Sequence, residues 1–222
     1  MSDPSAATHY VFDAYGTLFD VHAAALRHKE AIGPAWQQLS QLWRAKHLEY
    51  TWVHALSRRP ATFWDLAQRS LDHALALIGI SIAEGLRQGL LAAYRTMEAY
   101  PEVASVLSAL KARGARVAIL SNGDPDMLED AVRAANLAQS VEAVLSVSAA
   151  GTFKPAPEVY RLATHRFGCT APDISFQSSN RWDIAGAKAF GFRCVWINRA
   201  GAPDEYPELA PDRVMGDLTA LL

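Results

Sequence analysis

YVFDAYGTLFD occupies residues 10–20. Three apolar residues, Tyr10 to Phe12, run straight into Asp13, and a small residue, a tyrosine, a glycine and a threonine follow. A short continuous apolar run fits a strand covered on both faces. Asp13 would then stand at the carboxyl end of that strand, where a parallel sheet opens its ligand crevice. Two places further on the chain carries Tyr15 rather than a second acid. A phenol of ordinary pKa, near 10, holds no acidic proton at neutral pH.

Four more runs of the same kind follow: RVAILS (116–121), EAVLSVS (142–148), DISFQS (173–178) and FRCVWIN (192–198). Each is bounded by Gly, Pro, Asn or Asp, and most lead into a helical pattern. Strand–helix alternation predicts an α/β fold with a doubly wound parallel sheet. One helix is well punctuated over about 101–113, with Pro101 near its first turn, Lys111 and Arg113 in its last, and Gly114 just past its end. Residues 20–98 break the rhythm. They hold no convincing strand, and apolar residues recur at spacings of three and four: Leu39, Leu42 and Trp43, then Leu71, Ala74, Leu75 and Ile78. This interval reads as an inserted helical cap domain, with residues 8–19 and 99–222 forming the α/β core domain.

The strands end in polar groups. Asp13 follows the first, Ser121-Asn122 the second and Ser178-Ser179-Asn180 the fourth; Lys154, in GTFKP, lies in the loop after the third, and Asp183 opens the helix after the fourth. One such residue would be an ordinary helix cap. Several in register predict two carboxylates, one ammonium and a set of hydroxyls and amides around one point.

Composition narrows the classes. The chain has 222 residues and a net charge of −2, half its residues are apolar and a fifth are charged. That suits one sizeable domain with an elaboration, or two small ones. A near-neutral balance gives no case for nucleic acid or an anionic membrane. No apolar run approaches the roughly 20 residues that span a bilayer. The N-terminus, MSDPSAATHY, lacks the basic and apolar regions of a secretory signal, so a cytoplasmic protein is expected. Cys169 and Cys194 are expected to stay unpaired in such a compartment, with Cys194 a core thiol. The seven histidines show no metal-ligand spacing and receive no role. No Gly-x-Ser-x-Gly elbow occurs, which removes a serine hydrolase.

DAYGTLFD, SNGD, FKP and SSNRWD, in this order and at these separations, resemble the haloacid dehalogenase superfamily, and within it the L-2-haloacid dehalogenases. The resemblance covers nearly the whole chain, including LWRAKHLEYTW (42–52), which is similar to that family's arginine-bearing cap helix. It implies a Rossmann-like core under a helical cap. Most of the superfamily are Mg²⁺-dependent phosphatases with a second acid two places after the nucleophile and further acids in the last motif. Here Tyr15, Ser179 and Asn180 stand at those places.

The resemblance therefore implies a cofactor-free, metal-free hydrolase of short 2-haloacids and haloacetates, working through an aspartyl ester on Asp13 with inversion at carbon. It implies Arg44 and Asn122 for the departing halide ion. Ser121 and the backbone near Ala14 and Tyr15 would take the carboxylate of the halogenated acid, and Lys154 would orient Asp13. Thr17, Tyr160, Ser178 and Asn180 would hold Asp13, Lys154 and a water, which Asp183 positions or deprotonates. Tyr15, Phe63 and Trp182 are candidates for an apolar wall. A homodimer joined through cap helices is implied. Two departures, Ala14 for an expected leucine and Arg181 beside Trp182, are expected to adjoin the pocket and bear on substrate size. Both chloride and fluoride are admissible leaving groups. The competing readings are a small-molecule phosphatase of the same superfamily and a non-catalytic binding protein on this fold.

Overall fold

The computed structural model describes residues 8–222; residues 1–7, which carry most of the N-terminal stretch read as no secretory signal, lie outside the described residues. Six parallel strands form one sheet: β1 (His9–Phe12), β2 (Arg116–Ser121), β3 (Ala143–Ser146), β4 (Ile174–Ser178), β5 (Arg193–Ile197) and β6 (Arg213–Met215). Their order is β3-β2-β1-β4-β5-β6. The doubly wound α/β reading is correct. The chain steps outward from β1 to β3, then returns to β4 on the other side of β1. That reversal is a topological switch point, and it lies between β1 and β4. The strand β6 was not read from the sequence. RVM is three residues long and half exposed, too short to show a period.

Helices α6 (Val103–Ala112), α7 (Pro125–Ala134), α8 (Pro157–Phe167) and α9 (Arg181–Phe190) connect the strands. The predicted helix at 101–113 is α6, which starts two residues late because Pro101 and Glu102 form the turn before it. Burial of the inner strands on both faces explains their apolar character: every residue of β4, Ser175 and Gln177 included, and the last three of β1 are buried.

Between β1 and α6 stand five helices and no strand: α1 (Ala23–Arg27), α2 (Lys29–Ile32), α3 (Trp36–Ser57), α4 (Phe63–Ile78) and α5 (Glu84–Arg95). The outgoing and returning chains pair with each other, Asp20 N–H donating to Glu98 O at 3.0 Å and Tyr100 N–H to Leu18 O at 2.9 Å. Arg199 fastens this crossing. It donates to Thr17 O, pairs with Glu102 at 2.6 Å and lies 3.8 Å over the Tyr100 ring. A second tie joins α4 to the loop after β2. Asp124 accepts from the N–H groups of Phe63 (3.1 Å) and Trp64 (2.8 Å), two of the donors that a helix N-terminus leaves open. Thr62, the N-cap of α4, completes the same first turn by accepting from Asp65 N–H.

One close approach sets the position of α9. A Cβ built on Gly186 would lie 2.5 Å from Pro155 Cβ and 2.6 Å from the Tyr160 hydroxyl. No side chain fits there, so α9 packs onto α8 and the Lys154 loop by backbone contact. Gly186→Ala is expected to lower stability by about 1–3 kcal/mol through overpacking, read as a lower urea midpoint at unchanged m-value.

Candidate active site

The register of the sheet builds the site. Phe12 pairs with both Ile119 and Gln177, and Asp13 N–H extends the ladder to Gln177 O at 2.9 Å. Asp13 is therefore level with Ser178 on one neighbour and just below Ser121 on the other. Beyond it the chain turns sharply, the N–H groups of Thr17, Leu18 and Phe19 all reaching Ala14 O. Gly16, at φ 95°, supplies the left-handed residue this turn requires. The N–H groups of Ala14 and Tyr15 take no part in closing the turn.

Lys154 is the centre of the arrangement. Its ammonium, fully buried, lies 3.0 Å from Asp13 Oδ1 and 2.8 Å from Asp183 Oδ2. Asp13 Oδ2 accepts from Asn180 Nδ2 at 2.8 Å and Thr17 Oγ1 at 3.0 Å, with Ser178 Oγ at 3.4 Å. The Ser178 hydroxyl lies closer to Asp183 Oδ2, at 3.0 Å. Tyr160 donates to Asp183 Oδ1 at 2.8 Å, so it supports Asp183 rather than Asp13, Lys154 or a water directly. Burial alone would push the Lys154 ammonium down. The charges of Asp13 and Asp183 outweigh it and leave the ammonium above the usual lysine range. Asp183 is raised as well: burial first lifts it to about 6, with Lys154 opposing and Asp13 adding.

A narrow cavity of ≈ 10 Å³ opens on this row, lined by Asp13, Tyr15, Arg44, Leu48, Phe63, Asn122, Asn180 and Trp182. The three aromatic residues expected in the wall are all there. Leu48 was missed; it follows Arg44 by one helical turn on α3, which was the available signal. Asn122 Oδ1 accepts from Lys154 N–H at 3.0 Å, which turns the amide nitrogen toward free space. Arg44 reaches down from α3, its Nη2 donating to Tyr15 O (3.2 Å) and Asn180 Oδ1 (3.3 Å). Both partners are neutral. Arg87, Arg95, Arg116, Arg181 and Arg199, by contrast, each pair with a carboxylate. The charge of Arg44 is thus held in place and left uncompensated, beside the amide of Asn122.

Ser121 is buried behind Asn122. Its Oγ accepts from Gly123 N–H at 3.1 Å, which leaves its proton for another acceptor. Tyr15 is buried among Phe63, Tyr94 and Phe19, and burial first, then Tyr94 and Asp124, raise its phenol well above 10. It serves as wall, and its proton is out of reach as an acid.

Two expectations need correction. Arg181 does not adjoin the pocket. It is buried on the far side, pairing with Asp204 at 2.7 Å and donating to Tyr206 O and Leu209 O, so it anchors α9 to the segment before β6. The Ala14 side chain lies buried under the turn and does not line the cavity. Both cysteines are free, and burial pushes the Cys194 thiol far up.

The residues present do not fit Mg²⁺. That ion takes an octahedral oxygen shell with carboxylate help. Here both carboxylates are already bridged by an ammonium, and no group of three or more His, Cys, Asp or Glu converges among the described residues. No helix among them is long and apolar enough to cross a membrane.

Residues 8–191 match the family model of haloacid dehalogenase-like hydrolases. The chain is 46% identical to (S)-2-haloacid dehalogenase 1 of Pseudomonas sp. (strain CBS-3), over 91% of this chain and 89% of that protein. A crystal structure of a dehalogenase superposes with a TM-score of 0.95 at 40% identity, covering 97% of this chain and 96% of that one. The L-2-haloacid dehalogenase of Xanthobacter autotrophicus, solved with chloropropionic acid covalently bound, superposes with a TM-score of 0.86 at 35% identity, over 97% and 96%.

The charge row also yields a stability prediction. Lys154→Met leaves two buried carboxylates without a counter-ion and is expected to cost about 3–5 kcal/mol near neutral pH. Without the opposing ammonium the buried Asp183 carboxyl holds its proton still more tightly in the native than in the unfolded chain. The variant should therefore regain stability as pH falls, which urea titrations at pH 7.5 and pH 5 would read.

Proposed function

This chain belongs to the haloacid dehalogenase-like hydrolases, and we propose that it is a carbon–halide hydrolase acting on short 2-haloacids of the L series and on haloacetates. The observation that carries the reading is Arg44. A guanidinium with only neutral partners, beside the free face of the Asn122 amide and across one small cavity from Asp13, suits an anion that appears during reaction.

Asp13 Oδ1, which takes only Lys154 while Oδ2 is held by Asn180 and Thr17, attacks carbon 2 opposite the halogen. The new C–O bond forms as the C–X bond breaks, and the halide leaves with the electron pair toward Arg44 and Asn122. Ser121 and the N–H groups of Ala14 and Tyr15 hold the substrate carboxylate. Water then adds to the aspartyl carbonyl carbon and Asp183 takes its proton. The acyl–oxygen bond breaks as Asp183 returns that proton to the departing oxygen, the second proton of the water passes to solvent, and Asp13 is restored as a carboxylate that keeps one oxygen from water. Back-side attack inverts the centre, so an L-2-haloacid gives a D-2-hydroxyacid. A leaving halide needs no proton, which agrees with a tyrosine at position 15. The phosphatase alternative lacks both an acid there and the carboxylates for Mg²⁺. A non-catalytic protein would not need Asp13, Lys154 and Asp183 in one hydrogen-bonded row.

We further propose that α1 to α5 act as a cap over the site and that the protein works in the cytoplasm. We also propose a homodimer formed through the apolar residues exposed on that layer: Val53 and Leu56 on α3 and Leu77 on α4. Light scattering of the purified chain should give twice the chain mass, and Leu56→Glu should return it to one.

Halide release from L- and D-2-chloropropionate, chloroacetate and fluoroacetate tests the activity, beside a phosphate ester with Mg²⁺. Release from the L-acid, unchanged by EDTA and abolished in Asp13→Asn, is expected. Single turnover in ¹⁸O-water should label Asp13 and leave the product unlabelled; label in the product alone would overturn the ester. Turnover should decline as pH falls below about 6, where Asp183 takes up its proton.

A further inference from the structure

The cavity facing Asp13 has room for about one water molecule, and a short 2-haloacid is several times that size. Part of the wall must therefore yield before such a substrate is seated. Most of the lining is held. Asp13 and Asn122 are tied to Lys154, and Arg44 and Asn180 to each other. Tyr15 and Phe63 are buried and packed ring on ring, Tyr15 against Tyr94 and Phe63 against His47. Leu48 on α3 and Trp182 on α9 complete the lining, and both are half-buried.

Trp52, which was not among the residues expected at the site, bounds this softer side. It follows Leu48, and Leu48 follows Arg44, by one helical turn, so the three share a stripe of α3. The Trp52 ring meets Trp182 edge-on, with centroids 5.5 Å apart at 78°. Trp52 does not itself line the cavity. Its contact with Trp182 bridges α3 and α9 one turn beyond the lining. No hydrogen bond holds the ring. Its Nε1 is buried without a protein partner among the described residues, whereas Trp43 donates to Ala67 O at 2.8 Å and Trp196 to Ser179 O at 3.2 Å. A buried indole N–H normally finds an acceptor. Swinging the Trp52 ring outward breaks no hydrogen bond and offers its N–H to water.

The proposed reaction assigns the other directions around carbon 2. Asp13 approaches from one side, the halogen points to Arg44 and Asn122, and the carboxylate goes to Ser121 and the turn after β1. The alkyl substituent is left for the apolar wall. Tyr15 and Phe63 are backed by other rings, so each added methylene presses on Leu48 and Trp182, and through Trp182 on Trp52. We infer that Trp52 is a specificity-determining residue: its contact with Trp182 closes the yielding side of the cavity and sets the largest alkyl group accepted on carbon 2. The inference rests on the reading of this cavity as a 2-haloacid site. It gives Trp52 no contact with the reacting atoms.

The test is halide release from L-2-chloropropionate, L-2-chlorobutyrate and L-2-chlorohexanoate by the native protein, Trp52→Ala and Trp52→Phe. Native kcat/KM should fall at least about tenfold from the shortest to the longest acid. In Trp52→Ala the ratio of kcat/KM for the longest acid to that for the shortest should rise about tenfold, as expected for a pocket that gains room for a methylene. Trp52→Phe keeps a smaller ring against Trp182, and its ratio should rise about threefold, which carries the test if Trp52→Ala does not fold. Both acids are read on one preparation, so a general loss of folded protein cancels in the ratio. Equal loss on every acid leaves the ratio unmoved and would overturn the inference, as would a native protein that turns over all three acids equally well. No halide release from any acid by the native protein sinks the reading of the site itself; release with an unmoved ratio in the variants sinks the role of Trp52 alone.

Discussion

A buried ammonium between two buried carboxylates sets the terms for the rest of this molecule. Lys154 can compensate one of its neighbours fully but not both, so the row Asp13–Lys154–Asp183 carries excess negative charge in a dry interior. Such a group is tolerated only when its remaining lone pairs are satisfied. Thr17, Ser178, Asn180 and Tyr160 are the donors that do this, and they come from the turn after β1, the end of β4, the start of α9 and the middle of α8. Burial first, with the charge of Asp13 adding, raises the Asp183 carboxyl, which leaves it a base matched to near-neutral pH. One electrostatic constraint therefore ties the nucleophile, its orientation and the water-activating group to a single side chain.

The opposite logic governs the other half of the cavity. Arg44 enters from α3 and meets a carbonyl and an amide oxygen, never a carboxylate among the described residues. Neutral partners fix direction without cancelling charge. An anionic row faces a cation across a space too small for bulk water, and a reaction that moves negative charge from the one to the other is favoured by the fixed field. Phosphoryl transfer asks for the reverse provision: a proton donor near the nucleophile and clustered acids for a metal. Tyr15 supplies neither, being buried aromatic wall with its proton held tightly.

The helices between β1 and α6 contribute Arg44, Leu48 and Phe63 to the cavity lining. They are attached by a paired crossing at residues 18–20 and 98–100, fastened by Arg199, and by Asp124 gripping the first turn of α4. Those attachments place Phe63, Leu48 and Arg44 over the carboxyl ends of β1 and β4. The close approach at Gly186 does the corresponding work underneath by seating α9, and with it Asp183, against Tyr160.

What the sequence determined by itself was the sheet and the polar residues at its strand ends. Five of six strands were legible as short apolar-rich stretches, because β1, β2, β4 and β5 are buried on both faces, while β3, at the edge, has no buried residue. Asp13, Lys154 and Asp183 were legible because each stands at a fixed offset from a strand or helix boundary. What lay beyond reach depended on where side chains go once the elements pack. Arg181 neighbours Trp182 in sequence, yet it turns to Asp204 because successive residues of a helix point about 100° apart. His47 looked like one more histidine without ligand spacing, since its partners, Phe63 and Tyr94, lie on two other helices. The short β6 exists only as an edge added to β5. Local pattern fixed the chemistry of the strand ends; only the packing of distant helices decided which charges are compensated and which are left free.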